Sequence, residues 1–160
     1  MFIPVNEPRL NGNELKYVTD CITTGWISSE GPYVKRFEDK FALTVDRKHA
    51  IAVANGSVAL DAAIAALGIT DGDEVIMPTF TIISCATAIV RAGAKPVLVD
   101  ADPLTFNMNV SQIEAKITPK TKAIMVVHIY GLPVEMDIVL DLAKKYNLKM
   151  VDIKVLSDKK

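Results

Sequence analysis

Apolar positions recur along this chain in two different rhythms. From Asn11 to Gly25, Leu15, Val18 and Ile22 are spaced by three and four residues. That spacing predicts a helix, with Asn11 and Glu14 at capping-box separation and Gly25 as its stop. A second helix is predicted over "GPYVKRFEDKFALTV", with Pro32 near its start. Tyr33, Phe37 and Phe41 recur there every four residues and form an aromatic stripe, read as core. From His49 onward short apolar runs take over. "HAIAVAN", "EVIMP", "KPVLVD", "KAIMVV" and "LKMV" are predicted strands. Between them "SVALDAAIAALG", "TIISCATAIVRAG", "NVSQIEAKI" and "EMDIVLDLAKKYN" read as helices. The strand runs are largely apolar rather than alternating, as expected when both faces of a sheet are covered. The alternation from Ala50 to Val151 predicts an α/β fold with a mostly parallel sheet, helices on both faces and right-handed crossovers. Residues 1–45 read as a helical N-terminal arm, not a separate domain, residues 46–152 as the body, and residues 153–160 as a charged tail.

Composition narrows the classes of partner. Half of the 160 residues are apolar, enough for a core, and a chain of this size buries roughly 70% of its unfolded surface. Lys and Arg total 18 against 19 Asp and Glu, which gives no support for nucleic acid or an anionic membrane as partner. Cys21 and Cys85 lie far apart and form no C-x-x-C, so neither a disulfide framework nor a zinc site is expected. "MFIPVNEPRLNG" has no basic start followed by a long apolar run, and the sequence shows no apolar stretch of membrane-spanning length. The expectation is a soluble cytoplasmic protein without a bound metal.

In open α/β sheets ligands bind beyond the C-terminal ends of the strands. "ANGSVAL", "PTFTII", "VDADP" and "VHIYGLP" fall at that edge. In the first, a strand would turn at Asn55-Gly56-Ser57 directly into a helix. Gly56 allows a tight turn and close approach of a ligand. Ser57 can cap the helix, and the first-turn N–H groups suit an anion such as phosphate. These residues are equally those of a plain Gly-Ser cap. They form neither G-x-x-x-x-G-K-[ST] nor G-x-G-x-x-G. Thr79 or Thr81 would cap the next helix. His128 reads as a structural hydrogen-bonding group rather than a base. Trp26, Ser28 and Ser29 lie in a loop that forms either a ligand rim or an apolar plug. No residue stands out as catalytic.

"TGWISSEGPYVKRFE", "NGSVALDAAIAALGITDGDEVIMPTFT", "AGAKPVLVDADPLTFNMN", "ITPKTKAIMVVHIYGLPVEMD" and "LAKKYNLKMV" occur in that order. Over residues 3 to 151 the chain resembles the DegT/DnrJ/StrS family of sugar-nucleotide aminotransferases, near its perosamine-synthetase-like branch. The resemblance implies the large domain of the fold type I (aspartate aminotransferase-like) transferases, here incomplete. It implies pyridoxal 5′-phosphate (PLP) as cofactor, glutamate and a nucleotide-linked keto sugar as substrates, dimers, and a role in O-antigen or other surface polysaccharides. Gly56 and Ser57 match the family's phosphate-binding turn. Ile82 matches a position where many members stack an aromatic ring on the cofactor. Trp26, Ser28 and Ser29 match a loop near the sugar-nucleotide pocket.

The likeness stops after Val151. Family members continue "EDAA", whose aspartate pairs with the pyridine nitrogen, and carry further on the lysine that joins the cofactor covalently. Here the sequence reads "VDIKVLSDKK". Without a gap, Asp152 falls on the family's glutamate and Ile153 on its aspartate. With a one-residue deletion, Asp152 takes the aspartate's place and binds the cofactor. Lys154, Lys159 and Lys160 do not match the position of the lysine. The expectation is an N-terminal portion, produced by a frameshift or split gene and inactive alone. The alternative is a non-catalytic module that pairs with a full-length or complementary aminotransferase chain.

Overall fold

The computed structural model describes residues 2–4 and 7–153. Lys154, Lys159, Lys160 and the rest of the predicted tail beyond Ile153 lie outside the described residues. The chain divides into two compact units, with the boundary after Ala52.

The first unit is a pair of helices. Helix α1 spans Glu14–Thr24 and α2 spans Pro32–Thr44. Pro32 opens α2, where a missing N–H costs nothing. Gly25 closes α1 in the left-handed conformation, φ 77°, which glycine adopts without a Cβ clash. The predicted capping box does not form. Asn13 occupies the cap position without a side-chain hydrogen bond, and Glu14 Oε2 accepts from the Gly12 N–H at 2.8 Å. The aromatic stripe is not core either. Phe37 and Phe41 stack on each other at 5.6 Å between centroids, yet both stay exposed. Helix α1 has no buried residue at all.

The second unit carries the sheet. Its elements are α3 (Gly56–Ala66), β1 (Glu74–Pro78), α4 (Ser84–Arg91), β2 (Lys95–Val99), β3 (Thr121–Val127), α5 (Met136–Lys145) and β4 (Lys149–Ile153). Four parallel strands pair in the order β2-β1-β3-β4. The predicted strand "HAIAVAN", residues 49–55, is absent. An apolar run has strand propensity, but a strand also needs a neighbour for its N–H and C=O groups, and no pairing of this run exists among the described residues. The predicted helix "NVSQIEAKI" is two 3₁₀ turns, Val110–Gln112 and Glu114–Lys116.

Side-chain alternation gives the sheet two buried faces. On one, Val75, Met77, Ala123, Met125 and Val151 pack beneath α3 and α4 through Leu60, Ile64, Cys85 and Ile89. On the other, Ile76, Val99, Ile124 and Val126 pack against Val110, Ile113, Val134 and Val139. Burying one such side chain contributes about 1.5–3 kcal/mol. The central strands β1 and β3 are buried almost throughout, as their unbroken apolar runs predict. Edge strand β2 leaves Leu98 half exposed and carries Pro96, whose missing N–H an edge tolerates. The β1–β2 connection runs through α4 on one face, and the β3–β4 connection through α5 on the other. The sheet therefore has a switch point between β1 and β3, where such folds open a crevice.

Candidate functional site

Helix α3 begins at the predicted turn, but a different residue caps it. Asn55 Oδ1 accepts the Val58 N–H at 3.0 Å. Ser57 is thereby released from the role expected of it. Its Oγ lies 2.9 Å from the Oγ of Ser84, the first residue of α4. Gly56 does not need glycine for its own conformation or packing. Its φ is not in the left-handed region, and a Cβ built on it meets nothing within 4 Å. The open space above Gly56 leaves close approach of a ligand as the physical use of this glycine, rather than a tight turn. First-turn N–H groups lack partners within the helix, and neither α3 nor α4 places an acidic residue in its first turn. The two helix starts therefore carry partial positive charge without a carboxylate of their own.

Ile82 lies on the segment entering α4, with 66% of its surface exposed. Neither predicted threonine caps α4, whose cap position is Ile83. Thr81 Oγ1 lies 3.3 Å from Cys85 Sγ, and Thr79 Oγ1 donates to Asp100 Oδ1 at 3.3 Å. Burial pushes the Cys85 thiol up from its ordinary pKa.

His128 is structural, as its sequence context suggests. It is 4% exposed, and its Nδ1 accepts the Val134 N–H at 3.0 Å. With Nδ1 accepting, the neutral ring carries its proton on Nε2. Nε2 sits 2.8 Å from Asp152 Oδ1, at ion-pair distance but without hydrogen-bond alignment. The register pairs Asp152 with Val126, on the face that packs against α5. Ile153 pairs with Val127 and packs on the opposite face, under α3 and α4. Ser57, Ser84 and Ile153 thus share one face, and Asp152 belongs to the other.

The segment after β3 is fixed by a residue that the sequence did not single out. Asn107 is 5% exposed. Its Oδ1 accepts from the Ile129 N–H at 3.2 Å, and its Nδ2 donates to the carbonyls of Leu132 and Pro133 at 3.1 and 3.2 Å. Tyr130, in between, adopts a left-handed backbone with φ 49° and is almost fully exposed. Asn107 follows a turn signal, Asp102 to Thr105, but nothing in its local sequence announces a partner more than twenty residues away.

In the first unit, Trp26 and Ser28 line an apolar cavity of about 790 Å³ between α1 and α2, together with Ile22 and Phe37. Ser29 does not line it. Among the described residues no group of side chains could hold a metal ion, and no helix is long and apolar enough to cross a membrane.

The chain matches the DegT/DnrJ/EryC1/StrS aminotransferase family over residues 8–152. It is 50% identical to GDP-perosamine synthase of Escherichia coli O157:H7 over 151 residues, which are 94% of this chain and 42% of that protein. It superposes on the aminotransferase of Psychrobacter cryohalolentis with a TM-score of 0.84 at 38% identity, covering 93% of this chain and 38% of that one. NtdA of Bacillus subtilis, solved with bound cofactor PMP, gives a TM-score of 0.81 at 35% identity, covering 86% of this chain and 32% of NtdA. The chain thus spans about a third to two fifths of the length of these relatives. The partial α/β domain is that of the fold type I PLP-dependent aminotransferases, and PLP is the family's cofactor. The chain belongs to the DegT/DnrJ/EryC1/StrS aminotransferase family.

Proposed function

We propose that this chain supplies the phosphate-gripping part of a PLP-dependent aminotransferase that moves an amino group from glutamate to a nucleotide-linked keto sugar, for a surface polysaccharide such as O-antigen. The observation that carries the reading is the bare start of α3. There Asn55 takes over the capping, Ser57 keeps its hydroxyl available, and the space over Gly56 is open. These residues fit the phosphate end of the cofactor. When bound, PLP supplies the electron sink for amino transfer. The chain's own contribution is to bind the phosphate through first-turn N–H groups and the Ser57 hydroxyl, and to set Ile82 as apolar packing where many relatives stack an aromatic ring.

The ring end fits less well. The parity of β4 supports the ungapped alignment, in which Asp152 takes the place of the family's glutamate and faces His128. Ile153 then stands on the α3 side without a charge to offer the ring nitrogen. This supports a chain whose own described residues hold the cofactor's phosphate end but place no carboxylate at the ring nitrogen. Trp26 and Ser28 are proposed for the sugar nucleotide through their shared cavity; Ser29 is proposed on the family pattern alone. A soluble cytoplasmic location accords with the family. The test is equilibrium dialysis of PLP against pyridoxal, which lacks the phosphate. PLP is expected to be retained at least about tenfold better, the worth of one or two hydrogen bonds to a charged group. Equal retention of the two would sink the reading.

A second reading has its own support. Leu15, Val18, Ile22 and Phe37 leave α1 and α2 with an exposed apolar face within their own unit, larger than a scattering of single apolar residues. We propose that this face pairs with another aminotransferase chain, either a second copy or a complementary portion. Its test is the amide exchange of these two helices with and without such a chain.

A further inference from the structure

We propose that Ser84 is a positioning residue for the phosphate group held at the start of α3, acting through Ser57. The inference rests on the reading of that turn as a phosphate site and goes one residue further. Ser57 and Ser84 belong to different helices, 27 residues apart in sequence, and their hydroxyls lie 2.9 Å from each other. Both helices pack on the same sheet face, and Arg91 Nη1 at the end of α4 is tied to Asp61 Oδ2 in the middle of α3 at 2.8 Å. Two helix N-termini therefore meet side by side. Each carries a partial positive charge, and neither has an acidic residue in its first turn. Helix α4 also lacks a side-chain cap. Two adjacent positive ends without an anion of their own repel each other, and a doubly charged phosphate ester relieves both.

Hydrogen counting gives the two serines different tasks. A hydroxyl has one hydrogen and two lone pairs. In a hydrogen-bonded pair one hydrogen is spent between the oxygens and one is left to point outward. Ser57 is the exposed member, beside the open space over Gly56, and Ser84 is half-buried. Ser84 therefore donates to Ser57 Oγ, and the Ser57 hydrogen turns toward the ligand. The relay fixes the Ser57 rotor and makes it a stronger donor, because hydrogen bonds in a chain polarise one another.

The experiment measures PLP and pyridoxal affinity of the intact 160-residue chain by equilibrium dialysis, with the ³¹P resonance of bound PLP as a second readout. Four variants are compared: Ser84→Ala, Ser84→Thr, Ser57→Ala and the Ser57→Ala/Ser84→Ala double. Ser84→Ala is expected to weaken PLP about five- to tenfold, as for loss of one hydrogen bond to a charged system. Pyridoxal affinity and the melting temperature of the free chain stay unchanged, and Ser84→Thr restores PLP binding. The double variant should bind no worse than Ser57→Ala, since Ser84 acts only through Ser57. Wild-type binding that favours PLP, with no effect of Ser84→Ala, overturns the relay and leaves the phosphate site standing. Additive losses overturn it too, by making Ser84 an independent contact. A wild-type chain that does not distinguish PLP from pyridoxal removes the phosphate reading, and the relay with it.

Discussion

Asn107 shows how much of this unit hangs on one side chain of no obvious chemical character. It sits buried between two loops and satisfies three backbone groups of the segment after β3. Replacing it with alanine leaves the Ile129 N–H and two carbonyls without that partner. A buried group left unsatisfied costs about 1–3 kcal/mol, so Asn107→Ala should lose about 2 kcal/mol of stability against urea. Its effect should be local as well: residues 129–133 become the first site of proteolytic cleavage. Unchanged stability and an uncut loop would refute this role. Such a residue is nearly invisible in sequence because its partners are backbone groups more than twenty residues away. Ser57 illustrates a milder version of the same problem. Asn55 and Ser57 are both good caps, and only the three-dimensional turn shows which one caps and which stays available. Gly56 was legible as part of a turn, but its open surroundings, not its φ, distinguish approach of a ligand from backbone need.

At the scale of elements, β1, β3, α3 and α5 were legible because each carries a pattern that burial alone decides. The run at 49–55 forms no strand because pairing, not composition, makes one. The strand parity that separates Asp152 from Ile153 also required the register, since a shift of one residue exchanges the two faces. Two elements further depend on exposed carboxylates. Asp102 Oδ1 accepts from the Thr105 N–H at 2.8 Å, the Leu104 N–H at 3.0 Å and the Thr105 hydroxyl at 3.0 Å, and these bonds hold its carboxyl below the usual 3.8. Glu114 Oε1 accepts from Lys145 Nζ and the Tyr146 hydroxyl, both at 2.7 Å, which tie a 3₁₀ turn to the end of α5. Lys145 first, then Tyr146, hold Glu114 below its usual 4.5. A carboxyl whose pKa is lowered by folding stabilises the fold above its unfolded pKa and stops doing so as pH falls through the folded value. Glu114→Gln should therefore lower the urea midpoint at neutral pH. Its difference from wild type should fade as pH falls below the usual carboxylate range and through the lowered folded value, and shrink at neutral pH in high salt. A difference that persists unchanged in acid would mean that Glu114 acts by packing and not by charge.

At the scale of the whole molecule, the two units differ in how much they bury. Both apolar clusters lie in the second unit, where Ile76, Ile89, Ile124 and Val126 are fully enclosed. Among the described residues of the first unit only Ala42 joins the buried apolar residues, and α1 buries none of its eleven. An isolated helix shorter than about 12–15 residues is marginal in water, because nucleation is costly and packing supplies most of its stability. Amide exchange should accordingly separate the units. The amides of α1 should exchange fastest of all the helices, those of α2 next, and those of β1 and β3 last, near the limit set by global unfolding. The same experiment decides between a helical pair that is merely exposed and one that receives a partner. Added to a full-length relative such as GDP-perosamine synthase, or raised in its own concentration, the chain should gain protection in α1 and α2 while β1 and β3 stay as they were. Protection of α1 equal to that of β3 in the chain alone would show that its apolar face is already covered. A face that stays unprotected at every concentration and with every aminotransferase chain would instead argue against pairing through these helices. Gain confined to α1 and α2 would locate the pairing surface on Leu15, Val18, Ile22 and Phe37.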